Sequence, residues 1–215
     1  LLRIKANAQA QSELISLEVY LGDDPTYQSR LGDLFMRTGN NEHALSAYRL
    51  SLSAAPHDAA VLAGAGNAAF ELGHYTAAVH YFDQHLELAP NDKQSRDRLK
   101  MAELVLRMDP FRPQIPVAER DKAVVGNFAI AGERLKSCGV AASYSSPTDP
   151  KKDLQQKWAE LKPQVTLAGL RRNPDLVNTT MTTVFSIEHQ ASIWCGPGSD
   201  ADAALLLVGK LHEGS

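Results

Sequence analysis

Displacing the sequence against itself by 34 residues superposes Gly32 on Gly66, Gly39 on Gly73, Ala44 on Ala78, Tyr48 on Phe82 and Pro56 on Pro90. Coincidences of this kind at one offset define an internal repeat, and a repeat of that period is one supersecondary unit that buries its apolar face against its neighbours. Small and apolar residues recur within each unit at three- and four-residue steps, then break at Gly39-Asn40-Asn41 and Gly73-His74, so each unit reads as two amphipathic helices. The starts are marked too. Asp24 precedes Pro25, and Asp58 and Asp92 follow Pro56 and Pro90 by two, placing a carboxylate where the first unpaired helical amides need an acceptor.

The order of residue sizes resembles the tetratricopeptide repeat family, whose unit carries a Leu-Gly-x-x-aromatic stretch, then Ala-x-x-x-aromatic, then Pro. The first repeat supplies Leu31-Gly32-x-x-Phe35, Ala44-x-x-x-Tyr48 and Pro56; the second supplies Leu62-x-x-Ala65-Gly66-x-x-Ala69, Ala78-x-x-x-Phe82 and Pro90. Gly32, Gly66, Ala44 and Ala78 let helices approach, and Tyr48 and Phe82 fill the space beside them. Gln28 departs from the pattern, standing where Trp is usual, and Ala65 and Ala69 are small. The resemblance implies an all-α, right-handed α-α superhelix with additional carboxy-terminal helices, and a role in binding another protein.

Two repeats alone bury no continuous core, so neighbouring segments must complete the stack. Residues 1–24 are expected to form an amino-terminal helix packing on the first repeat, with Ala10, Leu14 and Leu17 in register with Ala44, Tyr48 and Ser51. Residues 25–92 are the two full repeats. Residues 93–138 read as a degenerate third repeat, interrupted by Pro110, Pro113 and Pro116, with Val124, Phe128 and Ala131 in the repeat places after a 12-residue shift of frame. Residues 139–150 read as a loop and 151–215 as a helical extension. In that extension Leu154, Trp158, Leu161 and Val165 mark one face, and Val177, Met181, Val184, Ile187 and Ala191 a second. A capped helix from Ser199 is expected to bury Ala204, Leu207, Val208 and Leu211.

Composition narrows the function classes. Lys and Arg number 22 against 25 Asp and Glu, a net charge of -3 with no basic block, which removes the usual footprint of nucleic-acid or anionic-membrane binding. The longest plain apolar run, Ala203 to Val208, is far short of the roughly 18 residues a span requires. The seven histidines fall into no metal-ligand spacing, and Glu188-His189-Gln190, adjacent acid and base, diverges around a helix and reads as a polar helix face. Phosphate-cradling glycine loops and a nucleophile elbow are missing, and Gly64-x-Gly66 lies inside a repeat helix. The expectation is therefore a non-enzyme with no catalytic residue, metal or cofactor.

In stacks of the resembled family the first helix of each repeat lines a concave groove that holds a partner segment. The residues so implied are Ser29, Arg30, Asp33 and Arg37 in the first repeat, Ala63, Asn67, Phe70 and Glu71 in the second, and Asp97, Arg98 and Met101 beyond; the alternative for each is a solvated helix face. Phe70 is either an exposed anchor or an inward filler beside Ala69. A subclass grips acidic carboxyl termini with a Lys/Asn/Arg clamp, but Ser29, Asp33 and Gly64 occupy clamp places and only Arg98 matches. Competing readings are an enzyme or redox protein using the carboxy-terminal helices, and a self-associating assembly module.

Cys138 and Cys195, the only cysteines, each end a helix and precede Gly, so they can pair or remain separate thiols. Pairing would pin the carboxy-terminal helices to the repeat block and imply export to an oxidising compartment, in keeping with a processed amino terminus at Leu1; unpaired, they fit the cytoplasm.

Overall fold

A computed structural model describes residues 2–22, 24–139 and 150–213. The described residues form eleven α-helices and no strand. They divide into two compact units, Leu1–Glu103 and Leu104–Ser215, so residues 93–138 span the division.

The first unit contains α1 (Leu2–Leu21), α2 (Pro25–Thr38), α3 (Asn41–Ala54), α4 (Ala59–Glu71), α5 (Tyr75–Leu88) and the beginning of α6 (Lys93–Met108). The carboxylates at the helix starts act as anticipated. Asp24 accepts from the Thr26 amide at 2.9 Å, Asp58 from Ala60 and Val61 at 3.0 and 3.1 Å, and Asp92 from Gln94 at 3.0 Å. Helix α2 ends at Gly39, whose φ of 79° is the left-handed conformation that lets its own amide and that of Asn40 bond back to Met36 and Phe35. Asn40 then caps α3 through the His43 amide, so the chain reverses within two residues and α2 and α3 pack as a hairpin.

The core of this unit follows the repeat. Leu31, Phe35, Ala44, Leu45, Ala47 and Tyr48 are buried in the first pair, and Val61, Leu62, Ala65, Ala68, Ala69, Ala78 and Phe82 in the second. A Cβ at Gly32 would stand 2.5 Å from the Tyr48 ring, and one at Gly66 would stand 2.7 Å from the Phe82 ring. The glycines are therefore needed for approach. Gln28, in the usual Trp place, is wholly buried and donates from Nε2 to the Gly22 carbonyl at 2.7 Å, replacing apolar bulk with a tie to the preceding turn. His85 sits between the Ala59 carbonyl, 2.8 Å from Nδ1, and the Asp92 carboxylate, 2.9 Å from Nε2, linking the ends of α4, α5 and α6.

Helix α1 joins the first repeat through Gln11 Nε2, which donates to the Thr38 carbonyl at 2.7 Å, and through Glu18, 2.6 Å from His43 Nδ1. Ala10 and Leu14 are half-buried as anticipated, but Leu17 is exposed.

The second unit holds the end of α6, α7 (Val117–Gly139), α8 (Pro150–Leu161), α9 (Leu167–Arg172), α10 (Leu176–Cys195) and α11 (Asp200–His212). Its long helices α7 and α10 pack together, burying Val124, Phe128, Ala131 and Leu135 from one and Met181, Val184, Ile187 and Ala191 from the other. Trp158 of α8 stacks on Phe128 with centroids 5.4 Å apart and lies over Gly132. Two sequence expectations are corrected and one helix is added. Val165 does not extend the face of α8, which stops at Leu161 two residues before Pro163. The short α9, capped by Thr166 on the Gly169 amide, was not anticipated, because six residues are too few for a periodic pattern. In α11 the Ser199/Asp202 capping box forms, but Leu205 is buried and Leu211 exposed, since Leu205 and Val208 rather than Leu211 share the inward stripe.

Candidate functional site

The first-helix face of the repeats is built by α2, α4 and the amino-terminal part of α6, and its side chains are placed by the same registers that bury the opposite stripe of each helix. On α4, Gly64, Asn67, Phe70 and Glu71 follow one another at helical steps, while Ala65, Ala68 and Ala69 turn inward. Phe70 is half-buried and meets Tyr75 edge-on with centroids 5.2 Å apart. Arg98 reaches from α6 to this pair: its guanidinium lies 5.2 Å from the Phe70 centroid, and Nη1 donates to Glu71 Oε1 at 2.9 Å. Phe70 is thus neither a free aromatic nor a core filler. It is the floor on which an ion pair rests.

A second link connects α2 and α3. Tyr48 donates its hydroxyl to Asp33 Oδ1 at 2.8 Å, and its ring is so close to α4 that a Cβ at Gly64 would stand 2.5 Å from Cζ. Burial, with the Asp33 hydrogen bond and charge adding, raises the Tyr48 pKa and keeps the phenol neutral. Burial likewise raises the pKa of Tyr75, with the Glu71 charge acting in the same sense. Between the two links lies Asn67, whose Oδ1 is buried with no hydrogen-bond partner among the described residues.

Of the groove residues named from sequence, Phe70, Glu71 and Arg98 are brought into one cluster with Asn67 beside them on α4, and Asp33 is tied to Tyr48. Arg30, Arg37 and Asp97 are exposed and make no side-chain hydrogen bond or ion pair among the described residues. Ser29, Ala63 and Met101 are half-buried. Sequence reasoning gave Tyr48 only a packing role and missed its hydroxyl on this face. The available signal was that Gly32 and Gly64 both spare room for the same ring.

Cys138 and Cys195 form a disulfide with Cα atoms 5.8 Å apart, joining the carboxy-terminal ends of α7 and α10. Both cysteines belong to the second unit, so the bond closes that unit on itself rather than pinning it to the repeat block. Glu188 requires a further correction. It was expected on a polar helix face, yet it is only 1% exposed, and neither carboxylate oxygen has a hydrogen-bond partner among the described residues. Burial pushes its pKa up to about 8, the Asp202 charge adds to the rise, and Arg134 opposes it. Helical periodicity marks which face a residue occupies, and α10 is enclosed on more than one face by α7, α8, α9 and α11.

Among the described residues, no helix is long and apolar enough to cross a membrane. Residues 26–58 and 59–92 each match the family model of the tetratricopeptide repeat. Comparison with curated proteins and with solved structures gives no match.

Proposed function

The chain carries two tetratricopeptide repeats, and from that premise we propose that it is a non-catalytic interaction module whose first-helix groove receives a segment of another protein. The observation that carries this reading is the cluster of Asn67, Phe70, Glu71 and Arg98. It offers an aromatic surface and a guanidinium with donors to spare. An extended segment could rest an apolar side chain against the half-buried Phe70. Arg98, held at one end by Glu71, keeps further N–H groups for a partner carbonyl or carboxylate. Arg30 and Arg37 on α2 and Asp97 on α6 add exposed charge of both signs and suit a partner that is neither purely acidic nor purely apolar.

The disulfide supports placing the chain in an oxidising compartment, because unreactive structural disulfides persist there and are rare where glutathione keeps thiols reduced.

Panning a random peptide library on the full chain and measuring the selected peptides against variants tests the site. Phe70→Ala and Arg98→Glu, with unchanged circular dichroism, should weaken binding by about tenfold or more, as for centrally placed aromatic and arginine anchors. Binding that survives both substitutions but is lost on changing exposed residues of the second unit, such as Lys157→Glu, would move the site away from the repeats.

A further inference from the structure

A trough in the second unit, whose lining includes none of the repeat-face residues, combines an apolar floor with a cationic rim. It has a volume of about 440 Å³ and is formed by the last turns of α6, the beginning and middle of α7, and Ala201 of α11. Leu104, Met108, Ala123 and Ile130 give the floor its apolar surface. At Gly126 an added Cβ would meet no atom within 4 Å, so the floor is open there to a larger group. Asn127 is not an unfilled donor in this lining: its Nδ2 donates to the Met108 carbonyl at 2.7 Å and fixes α6 to α7 beneath the trough.

The lining carries three cations, Arg107, Arg112 and Lys122, against one carboxylate, Glu119. Glu119 lies 3.8 Å from Arg112, a long and exposed pairing, while Arg112 Nε donates to the Asp109 carbonyl at 3.3 Å and is thereby held at the rim. Arg107 and Lys122 are exposed and have no ion-pair partner among the described residues. This local excess of positive charge runs against the chain's net charge of -3. A concave apolar surface whose rim carries more cations than carboxylates complements a ligand that presents apolar side chains next to carboxylates.

We propose that this trough binds an acidic segment of a partner protein, with an aliphatic side chain seated on the Leu104, Met108 and Ile130 floor and flanking carboxylates paired to Arg107, Arg112 and Lys122. A single-stranded nucleic acid fits less well, because no aromatic residue lines the trough to stack a base. The trough is open to solvent rather than enclosed, which suits a peptide lying across it better than an acyl chain that must be surrounded.

The test uses the full chain and a short fluorescent peptide of glutamates with leucine at every fourth position, followed by anisotropy. Saturable binding that weakens with salt is expected. It should fall by about tenfold or more in the double variant Arg107→Glu/Lys122→Glu, as when complementary rim charges are reversed. Gly126→Leu, which fills open space, should weaken it without reversing charge, and Phe70→Ala and Arg98→Glu should leave it unchanged. Circular dichroism shows that each variant is folded. The proposal is overturned by an absence of saturable binding, by equal binding of a peptide with lysine in place of glutamate, or by affinity indifferent to the trough variants. Loss of binding with the repeat-face variants also overturns it, as does preferential binding of phosphatidylserine vesicles, palmitate or oligothymidylate.

Discussion

The Tyr48 hydroxyl donates to Asp33 Oδ1 at 2.8 Å, so a ring wedged between Gly32 of its own repeat and Gly64 of the next ends on an exposed carboxylate of the first-helix face. Packing within a repeat, packing between repeats and the chemistry of the candidate groove therefore meet in one side chain. Gly64→Ala would put a methyl group 2.5 Å from Tyr48 Cζ, and the ring has little room to retreat. The expected cost is about 1–3 kcal/mol, typical of overpacking. Tyr48→Phe, which keeps the ring and loses only the hydroxyl, should cost about 1 kcal/mol. Urea unfolding of the two variants checks both figures, and an unaltered midpoint for Gly64→Ala would refute the wedge.

Asp92 ties the end of the second repeat to the following helix. Its carboxyl is held at about 2, below the ordinary 3.8, chiefly by the Ser95 hydroxyl, with His85 and the Ser95 and Gln94 amides assisting and desolvation opposing. A carboxyl that is more acidic in the folded state stabilises fully above the unfolded value, and that contribution is lost as pH falls through about 2. Thermal melts of wild type and Asp92→Asn should accordingly differ above pH 4 and converge on strong acidification. A constant difference would detach Asp92 from the acid limb.

Glu188 acts in the opposite direction. With its folded pKa at about 8 against an ordinary 4.5, the native state retains a proton that the unfolded chain has released throughout that interval. Stability from this group is therefore lost as pH rises from about 4.5 to 8. Glu188→Gln, which cannot ionise, should remove that slope and be the more stable protein at alkaline pH. Parallel melts across the interval decide it; identical slopes would mean that Glu188 is solvated.

The Cys138–Cys195 bond closes a loop with a sequence separation of 57 residues. Restricting the unfolded chain over such a loop contributes roughly 4 kcal/mol in the chain-entropy treatment. Reduction, or Cys138→Ala with Cys195→Ala, should lower the unfolding midpoint of the second unit while leaving that of the repeats in place. A common downward shift of both transitions would contradict the confinement of the bond to one unit.

Much of the repeat unit was legible because its information is local and periodic. The helix starts at Pro25 and Ala59, the turn at Gly39 and the small-residue contacts of Gly32 and Gly66 all follow from spacing and backbone chemistry within one 34-residue unit. The groove residues were legible as positions but not as partners. That Arg98 would lie across Phe70 and bond Glu71 depends on how α6 is set against α4, which no residue within either helix specifies.

The amino-acid sequence by itself determined the two helical repeats, their caps and the face each helix turns inward, because 3.6-residue periodicity and capping act over a few residues. Only the tertiary structure decided that Cys138 meets Cys195, that α7 packs with α10, that Glu188 is enclosed, and that Arg107, Arg112 and Lys122 surround one apolar trough. Those outcomes depend on which distant helices share a core, and many arrangements of amphipathic helices bury the same apolar stripes while bringing different polar groups together.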